Sequence, residues 1–248
     1  MSDLTAAPNT NATVVAAAWL QGFEQSLAEG DVEQVLPWFT SECYWRDVLT
    51  FTWNIKTLEG SAAIAEMLES TLVSTSPRMF TLRRDATIVD GVIEAWLTFE
   101  TDVALGEGIV RLRDGKAWTL FTTMRDLKDH EEPVGRRRPL GAVHRADRNR
   151  ETWTEARARE TAAMGDTVQP HCLVIGGGQA GIAMGARLKQ LGVPTLVVEQ
   201  NPCAGDSWRN RYRSLVLHDP VWFDHLPYIP FPPNWPVFTP KDKMGDWL

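Results

Sequence analysis

Cysteine is scarce. Cys43, Cys172 and Cys203 are the only three in 248 residues, and no two share a CxxC spacing. That excludes a disulfide framework and a cysteine zinc site, so no metal site is expected, and it suits a reducing, cytoplasmic setting. Hydrophobic runs of membrane length are missing: no stretch approaches about 18 consecutive apolar residues. The start, MSDLTAAPNTNATVV, has no basic region ahead of an apolar one, so no secretory signal is expected. An excess of positive charge is missing too. Lys and Arg number 25 against 32 Asp and Glu, a net charge of −7, which argues against nucleic acid as a partner. Histidine is absent from the first half, since all five lie at or after His130. There is no internal repeat. Against these absences stand 11 tryptophans, a number that only a large buried surface or several aromatic-lined pockets can use.

The chain changes texture along its length. Residues 1–11 are small and polar and read as a loose terminus. Val15, Trp19, Phe23 and Leu27 then recur every fourth position, one face of a helix that Gly30 stops. Asp31 is placed to cap a second helix with Gln34 at the capping-box position, and Ser61 to cap a third with Ile64, Leu68 and Leu72 on one side. After Pro77 the period becomes two: Ile93, Ala95, Leu97 and Phe99 alternate with Glu94, Trp96, Thr98 and Glu100. Asp90-Gly91 and Asp114-Gly115 are tight-hairpin dipeptides, so residues 79–126 read as an antiparallel meander of about four strands. Helices followed by a meander make an α+β domain over 12–130. Residues 131–170 are charge-dense with mixed signs and read as a connector in which only the last part is helical. Its Arg136–Arg138 run reads as a solvated basic patch.

The texture of residues 171–248 is that of an α/β nucleotide domain. CLVI is a short buried-strand run, GGGQAG follows, IAMGARLKQLG is helical and VPTLVVE is a second strand. Gly176-x-Gly178-x-x-Gly181 is weak evidence alone, but here it sits between strand and helix. An acid, Glu199, ends the second strand eighteen residues after Gly181. Gly176 permits the tight turn. Gly178 has no Cβ to keep backbone N–H groups from a pyrophosphate. Gly181 and Gly185 let the helix lie close to the sheet. The helix N-terminus suits phosphate, and Glu199 suits the two ribose hydroxyls of an adenosine. A carboxylate there repels a 2′-phosphate, so the site selects FAD or NAD over NADP. Seven of the fifteen prolines then fall between Pro220 and Pro240, where no third central strand is legible. The domain therefore reads as an incomplete, truncated Rossmann-type unit.

In VIGGGQAG (174–181), VVEQ (197–200), GDSWRNRY (205–212), LVLHDP (215–220) and LPYIPFPPNWPVFTPKDKMGDWL (226–248), the chain resembles the N-terminal FAD-binding part of the flavin-containing monooxygenases. The resemblance implies that Gly176, Gly177, Gly178, Gln179, Ala180 and Gly181 hold the FAD pyrophosphate, and that Glu199 and Gln200 lie at the adenosine. It places Ser207 and Trp208 near the flavin, and Leu217 and His218 between flavin and nicotinamide. Asp206 stands where a second glycine is usual, and Gln200 where a basic residue is frequent. NADPH is implied as co-substrate, bound by a domain outside this chain. The implied reaction is oxygenation of a small organic nitrogen, sulfur or ketone substrate by molecular oxygen via a peroxyflavin, with the cofactor carrying the chemistry. No catalytic residue is assigned. The 248-residue chain reads as an N-terminal fragment of such an enzyme, unable to turn over alone.

Residues 12–126 resemble the cone-shaped nuclear-transport-factor-2-like proteins, with CYWRDVLTFTWNIKTLEG (43–60) similar to the start of their open pocket. The superfamily includes isomerases and dehydratases, so a small-molecule isomerase or dehydratase run by the cone domain is an alternative. The histidine inventory excludes a cone-lining His, leaving Asp47 and Asp102 as candidate bases. The plainer reading makes Tyr44–Asp47 a strand with a structural Arg46–Asp47 pair. A further alternative is a non-catalytic module that forms a homodimer through the cone domain and carries a vestigial nucleotide motif. Trp222, Trp235 and Trp247 read as packing residues and His225 as a hydrogen-bonded loop residue.

Overall fold

The first helix of the computed structural model, α1 (Thr10–Glu29), turns Ala12, Ala16, Trp19, Leu20, Phe23 and Leu27 inward at helical spacing. The structure describes residues 10–141 and 146–248, so most of the expected loose terminus and His144 lie outside the described residues. The chain forms two units, Met1–Glu131 and Glu132–Leu248.

In the first unit Asp31 caps α2 (Val32–Val35). Its carboxylate accepts the Glu33 N–H at 3.1 Å and the Gln34 side-chain amide at 3.0 Å, which is the expected N-terminal box. β1 (Phe39–Val48) and β2 (Ile55–Glu59) come next, before α3 (Gly60–Thr75). Glu59, with no side-chain bond, holds the cap position of α3. Ser61 lies in the first turn instead, a correction of one or two residues of the kind helix ends invite. The remaining strands are β3 (Arg78–Leu82), β4 (Thr87–Val89), β5 (Val92–Glu100), β6 (Ala104–Arg113) and β7 (Lys116–Leu127). Both Asp-Gly pairs turn hairpins with positive φ at all four residues (49° and 78°, 49° and 74°).

The sheet runs β2-β1-β7-β6-β5-β3, with β4 also on β5. It is mixed rather than wholly antiparallel, because β1 pairs with β7 in parallel. That pairing follows from order in the chain: β1 precedes α3, and the meander returns to it. Ala95, Val110, Leu120 and Trp45 stand opposite one another across four strands and bury completely or nearly so. Against this face pack α1 and α3. The rings of Trp19, Phe23, Phe39, Trp45, Phe51, Phe80 and Phe99 form one continuous chain of stacked and edge-on contacts, with centroids 4.6–6.5 Å apart.

In the second unit Gly135–Arg137 form a short helical turn. α4 (Trp153–Ala163) follows, opened by a full capping box between Thr152 and Glu155. β8 (Cys172–Ile175) and β9 (Thr195–Val198) form a two-stranded parallel sheet joined through α5 (Gln179–Gln190). α6 (Asp206–Arg209), proline-rich loops and α7 (Lys241–Trp247) complete it. Among the described residues no helix is long and apolar enough to cross a membrane.

Candidate functional site

The turn from β8 into α5 is set by glycine geometry. Gly176 has φ +108°, a conformation closed to ordinary side chains. A Cβ on Gly181 would lie 1.8 Å from the Gly176 carbonyl oxygen, so the first turn of α5 is folded hard against the loop. A Cβ on Gly185 would stand 3.1 Å from Val197 of β9, the close helix–sheet approach expected of that position. Gly178 is different. A Cβ there would meet only Ser207, at 3.5 Å, an ordinary contact. The protein does not need glycine at 178 for its own packing; the space belongs to the cavity beside it.

Glu199 closes the loop from the far side. One carboxylate oxygen accepts the Gly177 N–H at 2.5 Å. The other accepts the Asn201 backbone N–H at 2.9 Å and its side-chain amide at 2.6 Å. Donation from the Asn201 and Gly177 backbones holds its carboxyl below the usual range, so it is ionised at neutral pH. The expected ribose acceptor thus already braces the end of β9 against the glycine loop.

A cavity of about 520 Å³ opens at the start of α5. Its walls bring together Gly178, Gln179, Ala180, Ser207, Trp208, Leu217 and His218, all singled out in the sequence, with Arg211, Leu215 and Val216, which were not. Gly176, Gly177, Gly181, Glu199 and Gln200 are not among its lining; the first four shape the loop, and Gln200 is exposed. The first N–H groups of a helix have no intrahelical acceptor, so the Gly178–Ala180 wall is a donor-rich one. Trp208 Nε1 donates to the Gln179 side-chain oxygen at 2.6 Å, tying α6 to the mouth of α5. Both residues also line a neighbouring cavity of about 260 Å³ with Ala183, Asp224, His225 and Met244.

Asp206, at the position where the resemblance expects glycine, has a physical role. It is the first residue of α6, and its carboxylate accepts the Cys203 N–H at 3.1 Å and pairs with Arg209 at 3.0 Å. The glycine demand falls one residue earlier, where a Cβ on Gly205 would lie 2.0 Å from the Gly245 carbonyl oxygen of α7. Arg209 spans the same junction, reaching the Gly245 carbonyl and Asp246, each at 2.9 Å. Phe231, Trp235 and Trp247 pack with Met244 beneath, as expected of the two tryptophans. Trp222 does not: it is 54% exposed, a correction that follows from its place on a solvent-facing turn. His225 Nδ1 accepts the Phe231 N–H at 3.0 Å and serves its loop.

In the first unit the two candidate bases separate. Asp102 is exposed and ion-paired with Arg78 at 2.6 Å. Asp47 is fully buried, but one oxygen accepts the Phe51 and Thr52 N–H groups and the Thr52 hydroxyl at 2.8–3.0 Å. The other accepts the Thr122 hydroxyl at 2.8 Å, which in turn receives Trp45 Nε1. The expected Arg46–Asp47 pair is absent, because successive strand residues face opposite sides; Arg46 reaches Thr57 on the neighbouring strand at 2.7 Å. The segment that the resemblance places at the start of an open pocket, 43–60, contributes Trp45 and Phe51 to the buried ring cluster.

No family model matches the chain. Among curated proteins it is 45% identical over 76 residues to an uncharacterized CzcO-like oxidoreductase of Geobacillus kaustophilus, covering 31% of this chain and 22% of that protein. It is 34% identical over 104 residues to the indole-3-pyruvate monooxygenase YUCCA1 of Oryza sativa subsp. japonica, covering 42% and 22%. It is 40% identical over 77 residues to YUCCA8 of Oryza sativa subsp. indica, covering 31% and 18%. The chain thus spans about a fifth of the length of the curated relatives it matches. A ketosteroid isomerase-like protein of Erwinia carotovora covers 48% of this chain and 99% of its own at 10% identity and a TM-score of 0.39. A cystatin-like domain of Nostoc punctiforme covers 49% and 82% at 14% identity and a TM-score of 0.38. The fold of the first unit, a mixed seven-stranded sheet with α1 and α3 packed on one face, stands on its own strand order and helix packing.

Proposed function

We propose that the second unit is the FAD-binding portion of a flavin-dependent monooxygenase that uses NADPH and molecular oxygen to oxygenate a small organic nitrogen, sulfur or ketone substrate. The observation that carries this reading is the cavity at the start of α5, where residues from two distant segments, Gly178–Ala180 and Ser207–His218, share one wall. The identity to monooxygenases and an oxidoreductase supports it. The residues present fit a dinucleotide: the loop is folded tight at Gly176 and Gly181, while Gly178 leaves open the space a side chain would take. The N–H groups of Gly178–Ala180 would bind the diphosphate, Glu199 the adenosine ribose, and Trp208, Leu217 and His218 would exclude water from the flavin face. When bound, FAD would supply hydride acceptance and oxygen activation. The chain's own part is binding, orientation and shielding.

For the first unit, the buried ring cluster and the four bonds accepted by Asp47 favour a scaffold over an isomerase. Association of two chains through it belongs to the same proposal and is read by sedimentation velocity. The test of the flavin reading is a fluorescence titration with FAD. Saturable quenching is expected for the native chain. Gly178→Val is expected to keep its circular dichroism spectrum and lose FAD, because the new side chain occupies the cavity and touches little else. A folded Gly178→Val that binds FAD normally reduces the motif to a turn.

A further inference from the structure

Of the ten residues that line the larger cavity, Arg211 alone carries a permanent positive charge. Its Nε donates to the Ser207 carbonyl oxygen at 3.3 Å, one turn back. Ser207 is also the neighbour of Gly178, the glycine whose missing side chain leaves the cavity open. The guanidinium is therefore tethered at one nitrogen, next to the wall made by the start of α5, with its two terminal nitrogens uncommitted. Among the described residues it forms no ion pair. Arg209, two positions earlier, behaves in the opposite way: it spends its terminal nitrogens on Asp206, Asp246 and the carbonyls of Ala204 and Gly245. In a chain with a net charge of −7, a cation left without an acid at the rim of a donor-lined cavity is placed for an anion brought by a ligand.

We infer that Arg211 is the specificity residue for the diphosphate of the bound dinucleotide, an assignment that rests on the flavin reading of the cavity. Guanidinium and phosphate oxygens form paired, charge-assisted hydrogen bonds, and the N–H groups of Gly178–Ala180 approach the same anion from the helix side. The residue favours FAD, with its diphosphate, over riboflavin, which has the same ring system and no phosphate. Because Arg211 is exposed, its contribution is screened by salt.

The experiment titrates FAD and riboflavin separately into the full chain, its Arg211→Gln and Arg211→Lys variants, and Arg213→Gln, whose exposed side chain lies outside the cavity lining. Each titration is run at low salt and near 0.5 M salt, with circular dichroism to check folding. Arg211→Gln is expected to weaken FAD about tenfold at low salt and much less at high salt, and to leave riboflavin unchanged. Arg211→Lys restores part of the loss, and Arg213→Gln matches the native chain. If riboflavin binds too weakly to titrate, the flattened salt dependence of FAD affinity in Arg211→Gln decides the matter, and an unflattened one overturns the inference. Unchanged FAD affinity in Arg211→Gln, or equal weakening of both flavins, overturns it while leaving the flavin site standing. A native chain that binds neither flavin overturns the site reading and the inference with it.

Discussion

The two units hold their side chains by different means. In the first, seven aromatic rings close over one face of a seven-stranded sheet, and Trp45 at its centre is fully buried. In the second, a sheet of two strands leaves apolar side chains in solvent: Leu173 is 56% and Ile175 84% exposed. Burial of apolar area is the dominant favourable term in folding, so the first unit has its stability built in. The second relies on glycine contacts and polar straps. Glu199 braces the loop, Arg209 joins α6 to α7, and Glu132 holds both Arg187, at 2.7 Å, and Tyr228. Exposed ion pairs contribute little each, so a ligand that binds this unit would add stability that grows with the logarithm of its concentration over Kd. One unit is held by a buried core; the other is held by glycine contacts and polar straps.

The largest test of that contrast is Gly181→Val. The added carbon would lie 1.8 Å from a backbone carbonyl that has nowhere to move, because Gly176 already sits at φ +108°. The expected result is complete loss of FAD binding, with the thermal transition of the first unit unmoved. Retained FAD affinity would mean that the loop is pliable. The reciprocal change is Phe23→Ala, which removes the ring at the junction of Trp19, Phe39, Trp45 and Phe80. A buried Phe→Ala change costs about 3–5 kcal/mol. Calorimetry should show the first unit melting earlier while FAD affinity stays at its native value. A parallel loss of FAD affinity would contradict the independence of the two units.

These differences track what could be read in the residues. The α1 stripe, the Asp31 box, the β5 alternation and the strand–glycine–helix–strand–acid order are local patterns, and local patterns are legible. The parallel β1–β7 pairing was not legible, because it joins residues about 75 apart and depends on closing the sheet. The same distance hid the Asp47 network, whose partner Thr122 lies across that pairing. At the site, Gly178 was legible from the strand–glycine–helix spacing and Trp208 through resemblance. Arg211 was missed because a basic residue among several in GDSWRNRYRS gives no sign of which one turns toward the cavity, and Leu215 and Val216 because short apolar residues in a loop carry no period. The alternation of Arg211, exposed and unpaired, with the committed Arg209 appears only once the turn of α6 is built. A helical count from Ser207 to Arg211 would have been the one available signal.

A smaller effect is expected from Asp47→Asn. The carboxylate accepts four hydrogen bonds in a buried setting, and an amide cannot accept on its nitrogen side. Leaving one or two buried donors unmet costs about 1–3 kcal/mol each. Urea unfolding of the first unit should show the loss, and the loop from Thr50 to Asn54 should exchange its amides faster. Asp102→Asn, at the exposed Arg78 pair, should leave the midpoint unchanged within error. If the two variants behave alike, the network around Asp47 is not what fixes that loop.

The last effect is one of pH and belongs to the second unit. The Asn201 and Gly177 N–H groups donate to the charged form of Glu199 and hold its carboxyl below the usual value of about 4.3. A group whose folded value is depressed contributes stability that is whole above the unfolded value and is lost as pH falls through the folded one. Between pH 6 and 8 the strap between β9 and the glycine loop is therefore constant; below about pH 4.3 it fades. Glu199→Gln keeps the shape and one acceptor but does not titrate. The stability difference between native chain and variant, followed at the second unit by amide exchange at Gly177 and Asn201, should be flat near neutrality and shrink progressively as the solution is made acid. At pH 7 the variant should bind FAD about ten- to a hundredfold more weakly, since the ribose hydroxyls lose a charged acceptor. A difference that persists unchanged into acid would mean the loop is held by glycine contacts alone, and would move the second unit closer to the first.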